Sequence, residues 1–270
     1  MAIIPYYEEP GITIYHGDCR EILPSLPPVD LVLTSPPYDE LREYEGYSFN
    51  FEGTADGIKE KLSDGGVLVW VVGDAVRNGG ETLTSFKQAI YFQSIGLSMH
   101  DTMIYEKEGA FIACPNRYNQ CFEYMFVFAN GKPRTANLIR DRRNKYPNME
   151  QHGTRRQSDG SLKPRLMPPM KEYGARKNIW TYGTGRGKST EQYFAHEHPA
   201  IFPDDLAKDH VLTWSNPGEL VLDTFCGSGT TLKAAKDLGR KAIGIEIAEK
   251  YCEIAAKRLR QEVFDFKEAQ

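Results

Sequence analysis

The sequence predicts an α/β fold in which a seven-stranded, mostly parallel and doubly wound sheet carries helices on both faces. Runs of branched apolar residues, such as Val-Leu-Val-Trp-Val-Val at 67–72, are typical of parallel strands that are buried on both sides. The strand at 219–223, a glycine-rich turn, the helix at 230–238 and the strand at 241–245 form a βαβ unit. The seven strand candidates lie near residues 12, 30, 68, 100, 124, 221 and 243.

Glycines and prolines separate the predicted elements along the chain. The strands are predicted at 12–15, 29–34, 67–72, 97–105, 122–128, 219–223 and 241–245. The helices are predicted at 21–26, 55–62, 82–95, 204–214, 230–238 and 248–260. Because no clear helix lies between the strands at 97–105 and 122–128, we expect these two to form an antiparallel pair.

Composition limits the class of protein. A chain of 270 residues fits one large α/β domain, or one domain with an insertion. It has no signal-peptide pattern and no long apolar run, so a cytoplasmic protein that does not bind a membrane is expected. The five cysteines are odd in number and form no C-x-x-C pair. We therefore expect reduced thiols, without a disulfide framework and without a metal site.

One segment of this mildly acidic chain is strongly basic. Residues 131–178 contain 13 Lys and Arg against 4 Asp and Glu, whereas the rest of the chain contains 20 against 33. The segment is rich in Gly, Pro and Asn and has little periodicity, so a loop-rich insertion at 131–177 is predicted between 1–130 and 178–270. It is either a solvated excursion or, as we favour, a surface for a polyanion. The candidate residues for binding a polyanion, such as the phosphates and guanine edges of a nucleic acid, are Arg140, Arg142, Arg143, Lys145, Arg155 and Arg156.

The strand at 29–34 ends in Thr34-Ser35-Pro36-Pro37-Tyr38. The two prolines fix the backbone and leave the Pro36 carbonyl without a helix or ladder partner. Together with the Ser35 hydroxyl it offers two acceptors, and Tyr38 offers a flat ring for stacking. Such a corner suits a planar group that carries an amine. The alternative is an ordinary proline-rich turn.

A second chemical pattern follows the strand at 219–223. Gly227 and Gly229 let the backbone approach a ligand, and Glu246 lies 17 residues past Gly229 at the end of the next strand. A carboxylate in this position can accept hydrogen bonds from both ribose hydroxyls of a nucleotide. Thr231-Leu232 replaces the third glycine of G-x-G-x-x-G, which argues against a dehydrogenase. The alternative is a tight turn without a ligand.

Taken together, "TSPPY", "DTFCGSGTT" and "GIEI" resemble the S-adenosylmethionine-dependent DNA amino-methyltransferases. The target motif precedes the cofactor motif, with a variable basic segment between them, which is similar to the β group of this family. The resemblance covers residues 10–130 and 177–260. It implies a Rossmann-like class I methyltransferase fold in a circularly permuted order.

The resemblance also implies roles for individual residues. The catalytic tetrapeptide of the family corresponds to Ser35, Pro36, Pro37 and Tyr38. Its cofactor-binding positions correspond to Asp18, Asp223, Phe225, Gly227, Ser228, Gly229, Glu246, Pro199 and Phe202. In the segment that closes over the cofactor, His198 is a packing residue or a direct contact, and both interpretations stay open.

The implied activity is methylation of N4 of a cytosine that is flipped out of double-stranded DNA, because Ser35 begins the tetrapeptide. N6-methylation of adenine is the alternative, and an RNA or protein-glutamine methyltransferase or a non-catalytic nucleic-acid binder is less favoured. The implied cofactor is S-adenosylmethionine. A prokaryotic or phage-encoded protein with a cognate restriction endonuclease as a possible partner fits this family.

Overall fold

The computed structural model describes residues 3–37, 49–109, 116–149, 151–185, 187–198, 201 and 203–261. The polypeptide forms two compact units, of which unit 1 comprises residues 1–137 and 178–270 and unit 2 comprises residues 138–177. Residues 131–137, which the sequence places in the insertion, belong to unit 1. Their backbone is bound there, since the N–H groups of Arg134 and Asn137 donate to the carbonyls of Gly65 and Thr213, each at 2.8 Å.

Fifteen strands occur in the described residues. They are β1 (Tyr7–Glu9), β2 (Ile12–His16), β3 (Val29–Thr34), β4 (Leu62–Val72), β5 (Val76–Arg77), β6 (Gly80–Glu81), β7 (Ser98–Glu108), β8 (Phe122–Ala129), β9 (Arg142–Arg143), β10 (Gln151–Arg156), β11 (Leu162–Met167), β12 (Tyr173–Gly174), β13 (Ile179–Gly183), β14 (Leu220–Asp223) and β15 (Lys241–Glu246).

The α-helices of the described part are α1 (Cys19–Ile22), α2 (Phe51–Lys61), α3 (Thr84–Ser94), α4 (Asp204–Trp214), α5 (Thr230–Asp237) and α6 (Glu249–Arg260). Short 3₁₀ turns span Leu23–Ser25 and Tyr193–Glu197. Helix α1 begins before the predicted residue 21 because Asp18 caps it, and Pro24 lies in the 3₁₀ turn that follows. Helix α2 begins at 51 rather than 55 because the Asn50 side chain accepts a hydrogen bond from the Gly53 N–H.

Nine of the strands described form the main sheet of unit 1, in the order β1-β2-β15-β14-β3-β4-β8-β7-β13. The strands β2, β15, β14, β3 and β4 are neighbours in this order and all run parallel. Strand β8 is antiparallel to β4 and to β7, and β13 is parallel to β7. The predicted antiparallel pair of β7 and β8 is thus confirmed. The sheet is mixed and mostly parallel, as the sequence predicts.

The predicted number of seven strands is wrong. Strand β1 pairs with β2 antiparallel at one edge, and β13 pairs with β7 at the other. Strand β1 is Tyr-Glu-Glu, a short polar sequence whose strand conformation depends on its neighbour. Strand β13 comes directly after the basic segment and contains a single fully buried side chain, Trp180.

The chain reverses its direction of winding between β3 and β14. These two strands are neighbours at the centre of the sheet, but β3 leads through α2 to β4 on one side and β14 leads through α5 to β15 on the other. Right-handed crossovers therefore place α2 and α5 on opposite faces. A crevice at the carboxyl ends of two such strands is where open α/β sheets bind their ligands.

The core of unit 1 is built from the central strands and the helices that cover them. Val32, Leu68, Trp70 and Phe128 are fully buried, and the indole of Trp70 donates to the Gln88 side chain on α3 at 2.8 Å. The described helices include none that is long and apolar enough to cross a membrane. The four described cysteines carry free thiols.

Unit 2 contains two small antiparallel sheets in its described part. Strand β10 pairs with β11 over six residues, and β9 pairs with β12 over two. The sequence predicts a loop-rich segment here, whereas the structure shows regular hairpin pairing. Its strands are rich in basic residues and do not show the alternation of apolar and polar residues that marks a half-buried strand.

One buried side chain makes the fold sensitive to acid. His210 on α4 is fully buried, its Nε2 lies 3.1 Å from the sulfur of Met125, and its ring centroid lies 4.7 Å from that of Trp180. Burial lowers the pKa of His210 to about 3. Since the unfolded chain takes up this proton near pH 6.5, the unfolded state binds more protons between about pH 6.5 and pH 3.

We expect the free energy of unfolding to fall as the pH is lowered through that window, with a contribution from His210 of up to about 1.4 kcal/mol per pH unit. His210→Leu removes the titrating group and should flatten this slope, whatever its effect at neutral pH. Urea unfolding at a series of pH values measures it. His100→Leu, at an exposed position on β7, is the control, and equal slopes in the wild type and His210→Leu would contradict the prediction.

Candidate active site

The carboxyl ends of β2, β15, β14 and β3 lie side by side at one edge of the sheet. Strand β15 ends at Glu246, β14 at Asp223 and β3 at Thr34. The segment that leads to Asp18 follows the end of β2. Backbone hydrogen bonds join the loops that follow, since the Gly17 N–H donates to the Glu246 carbonyl and the Cys226 N–H to the Ile245 carbonyl, each at 2.9 Å. The two predicted motifs therefore meet at the reversal point of the sheet.

A buried hydrogen bond joins the two central strand ends. The Thr34 hydroxyl donates to Asp223 Oδ1 at 2.7 Å, and the Phe225 N–H donates to the same oxygen at 3.1 Å. Asp223 is 2% exposed, and its burial raises its pKa to about 6, against the hydrogen bonds from Thr34, Thr231 and the Phe225 backbone. Its carboxylate holds the Ser-Pro-Pro corner and the glycine loop at a fixed separation.

The corner itself follows β3 without a break. Pro36 is buried, whereas Ser35 and Pro37 are half-buried and reach the surface at the strand end. Two proline rings in succession keep this backbone extended. The Pro36 carbonyl is therefore not taken up in the hydrogen bonds of a helix. Tyr38, the fourth residue of the predicted tetrapeptide, lies outside the described residues.

The glycine loop needs glycine at two positions. Gly227 has φ +47° and Gly229 has φ +79°, both in the left-handed region. A Cβ on Gly227 would come within 2.8 Å of His198 Nε2, and a Cβ on Gly229 within 3.0 Å of the Ala255 Cβ on α6. His198 thus lies directly against the loop, and its ring also packs edge-on against Tyr251 at 4.3 Å. Of the two open interpretations of His198, this geometry favours packing.

Glu246 binds the loop from the next strand. Its Oε2 accepts from the Gly227 N–H and its Oε1 from the Ala248 N–H, each at 2.9 Å. Burial raises its pKa. A carboxylate has about four acceptor positions, so two remain for the hydroxyls of a ligand. The loop, the carboxylate and the first turn of α6 form one preorganised surface.

The other predicted cofactor residues have distinct surroundings. Asp18 caps α1 by accepting from the Arg20 N–H at 2.9 Å and pairs with the Arg20 guanidinium at 2.5 Å; these hydrogen bonds lower its pKa. The half-buried ring of Phe225 contacts Phe49 edge-on at 5.4 Å. Ser228 is buried within the loop. Pro199 and Phe202 lie outside the described residues.

Arg258 on α6 is a residue of the site that the sequence interpretation missed. It is fully buried, and its guanidinium connects the glycine loop to the segment at 190–192 and to the start of α4. The oxygen atoms that it contacts are Thr230 Oγ1 (2.8 Å), Thr190 Oγ1 (3.0 Å), Ser228 O (3.5 Å), Gln192 Oε1 and Asp204 Oδ1.

A signal for its burial was present in the sequence. Tyr251, Ala255 and Arg258 follow each other at helical intervals of four and three, and all three are buried in the structure. Arg258 therefore lies on the apolar stripe of the helix. Its neighbour Arg260 is exposed, so the two arginines differ in environment although they are two residues apart.

In the part of the chain that is described, no group of three or more His, Cys, Asp or Glu residues could hold a metal ion. The site consists of a buried carboxylate, a backbone cradle and an acceptor-lined corner.

Comparison with known proteins assigns this arrangement to a family. A model described as DNA methylase, of the N6/N4 type, matches residues 29–257.

The chain belongs to the DNA methylase family. The predicted family is thereby confirmed. This DNA methylase is 51% identical over 247 residues to the orphan methyltransferase M.BamHII of Bacillus amyloliquefaciens, with 90% of each chain covered.

Two solved structures share the fold of this DNA methylase. PvuII DNA methyltransferase (cytosine-N4-specific) matches with a TM-score of 0.68 at 21% identity, over 97% of this chain and 90% of its own. TTHA0409 of Thermus thermophilus, complexed with S-adenosyl-L-methionine, matches with a TM-score of 0.59 at 26% identity, over 94% of this chain and 96% of its own.

Arg258→Lys in this DNA methylase tests the buried network. Lysine keeps the positive charge beside Asp204 but lacks the planar five-donor fork, so several buried oxygens lose their donor. We expect the free energy of unfolding to fall by about 1–3 kcal/mol, as measured by urea unfolding. Arg260→Lys on the exposed face of α6 is the control. Equal loss of stability in the two variants would show that the buried contacts contribute little.

Proposed function

We propose that this DNA methylase transfers a methyl group from S-adenosylmethionine to N4 of a cytosine flipped out of double-stranded DNA. The observation that supports it most directly is the Thr34–Asp223 hydrogen bond, which holds the Ser-Pro-Pro corner beside the glycine loop. A donor of methyl groups on the loop and an amine at the corner would then share one crevice. Proximity of this kind supplies a large part of the rate enhancement.

The residues present fit the proposed cofactor. Glu246 keeps acceptor positions for the ribose hydroxyls, and it holds the glycine loop against the end of β15 through the Gly227 N–H. Phe225 lies two residues past the end of β14 and offers a half-buried ring beside the loop. When bound, S-adenosylmethionine supplies a methyl group on a positively charged sulfur, which an amine nitrogen can attack.

The chain's own groups act on the amine. The Ser35 hydroxyl and the Pro36 carbonyl accept its two hydrogens, and Tyr38 stacks on the base. Acceptors in this position favour a tetrahedral nitrogen whose lone pair points away from the ring, as in the transition state. With S-adenosylmethionine bound, the nitrogen would take the methyl group as the carbon–sulfur bond breaks, the cofactor would leave as a neutral thioether, and the proton lost from the nitrogen would pass to solvent water. No nucleophilic cysteine is required.

Unit 2 is proposed to recognise the target DNA. Its predicted contact residues, Arg140, Arg142, Arg143, Lys145, Arg155 and Arg156, are all exposed. Arg142 also has a structural contact, since its Nε donates to the Ala175 carbonyl at 3.1 Å within the same unit. Over 138–177 the chain has 11 Lys and Arg against 4 Asp and Glu, a balance that attracts phosphates.

N6 of adenine is the second candidate for the methylated atom. Both bases present an amine beside a ring nitrogen, so the two acceptors of the corner bind either one. Ser35 at the first position of the tetrapeptide supports cytosine, because the resemblance associates Ser-Pro-Pro-Tyr mostly with N4-methylation. A cognate restriction endonuclease stays a prediction from the same resemblance.

Nucleoside mass spectrometry tests the proposal. Unmethylated plasmid DNA treated with the enzyme and S-adenosylmethionine should yield N4-methylcytosine. Ser35→Ala should lower the rate of methyl transfer strongly with little change in the dissociation constant of the cofactor, since the hydroxyl acts on the amine. If N6-methyladenine were the sole product, N6 of adenine would replace N4 of cytosine as the proposed target atom. The absence of any methylated base would contradict both.

Glu246→Gln tests the cofactor site. The amide has one acceptor oxygen in place of two, and its NH2 group must face the N–H of Gly227 or of Ala248. We expect the dissociation constant for S-adenosylmethionine to rise at least tenfold, corresponding to about 1.4 kcal/mol or more. Calorimetry measures it. Glu249→Gln, at an exposed position of α6, is the control, and an unchanged constant in Glu246→Gln would remove Glu246 from the site.

A further inference from the structure

Strands β10 and β11 form a ribbon, and most of its described side chains are exposed on both faces. Residues 154–156 and 158–165 are all exposed. The connecting turn is tight: the Gln157 N–H donates to the Ser161 carbonyl at 2.8 Å, and Gly160 has φ +85°. A two-stranded hairpin without a buried face is only marginally stable by itself. Because no side chain described in this ribbon is buried, the ribbon is suited to contacts with another molecule.

The register places three cations on one face of the ribbon. Arg155 lies directly opposite Lys163, and Gly153 lies opposite Arg165. Directly opposed residues of an antiparallel pair point to the same side, and so do residues two apart along a strand. Arg155, Lys163 and Arg165 therefore form one patch, which we call the basic face.

The opposite face has a different character. It carries Thr154 opposite Pro164 and Arg156 opposite Leu162. The guanidinium of Arg156 lies 3.5 Å from the Gly160 carbonyl of its own turn. The two neighbouring arginines, which sequence reasoning treats alike, therefore lie on opposite sides of the ribbon.

The basic face is electrostatically unbalanced. Like charges that lie directly opposite each other destabilise a strand pair, and Arg155 faces Lys163. Among the described residues, none of the three cations of this face has an ion-pair partner. From 151 to 167 the chain has four Lys and Arg against one acid, Asp159, whose carboxylate accepts from the N–H and hydroxyl of Ser161. An external polyanion would relieve this repulsion.

We infer that the basic face of the ribbon enters the major groove of duplex DNA and that Arg155, Lys163 and Arg165 contact it there. The groove is about 12 Å wide and admits a two-stranded ribbon. Six residues per strand span roughly 20 Å along it. Arginine can bind guanine through O6 and N7, and lysine can bind phosphate. This inference rests on the proposed function.

Two double variants with equal loss of charge test it. Arg155→Gln with Lys163→Gln removes the opposed pair, whereas Lys171→Gln with Lys177→Gln removes two exposed cations of unit 2 that lie outside the ribbon. Binding of a mixed-sequence duplex of about 30 base pairs is measured by anisotropy at several salt concentrations. We expect the slope of log affinity against log salt to fall by up to about 2 in the first variant and to change little in the second.

Methyl transfer gives an independent measurement. Plasmid-length DNA made with 7-deazaguanine lacks the N7 acceptor in the major groove, and it should be methylated more slowly than normal DNA by the wild type. The first variant should be less sensitive to this replacement than the second. Equal salt slopes and equal sensitivity in the two variants would overturn the inference while the wild type still methylates normal DNA. A wild type that methylates no DNA would instead contradict the proposed function. Unchanged cofactor affinity in both variants confirms that unit 1 is intact.

Discussion

The hydrogen bond from Thr34 to Asp223 connects two strands that are neighbours in space but 189 residues apart in sequence. The two motifs of the site begin directly after the two strand ends that it joins. It holds the end of β3, where the Ser-Pro-Pro corner begins, against the end of β14, where the glycine loop begins. Because the bond is buried and the carboxylate accepts from Phe225 as well, the strand ends and the loop form one rigid unit.

Glu246 and Arg258 extend this rigidity outward. Glu246 receives backbone N–H groups from the loop and from the first turn of α6, and Arg258 binds the far end of the loop from the same helix. The polar groups of the glycine loop are thus bound by protein before any ligand arrives. A preorganised site of this kind loses little entropy on binding and needs little reorganisation during reaction.

Much of the fold could be predicted because it depends on local patterns. Strand Val29–Thr34 and helix Asp204–Trp214 were predicted at their observed bounds, since a continuous apolar run and an amphipathic repeat mark them. Strand β1 could not be, because Tyr-Glu-Glu becomes a strand only through pairing with β2. The ribbon of unit 2 was missed for a related reason: without a buried face it has no apolar alternation to reveal it.

The site was predictable to the level of segments rather than of contacts. That Ser35, Gly227 and Glu246 converge follows from the rule that parallel strands end at the same edge. The hydrogen-bond partners of the residues around them could not be derived from this rule. Asp18 stays a predicted ligand contact, and its pairing with Arg20 two residues away was not foreseen. The burial of Arg258 depends on segments at 190–192 and 204, which no local pattern connects to α6.

The order of the strands has a consequence for the growing chain. The unit β14–α5–β15 lies between β2 and β3, although it is synthesised after both. Until residues 220–246 leave the ribosome, β2 and β3 each present an open edge on the side that this unit will occupy. The strands synthesised before that point fall into two groups, β1–β2 and β3–β4–β8–β7–β13, and unpaired strand edges of this kind are prone to association with other chains. The last fifth of the chain, from residue 220 onward, brings β14 and β15 between them and so converts both edges into the interior of one sheet.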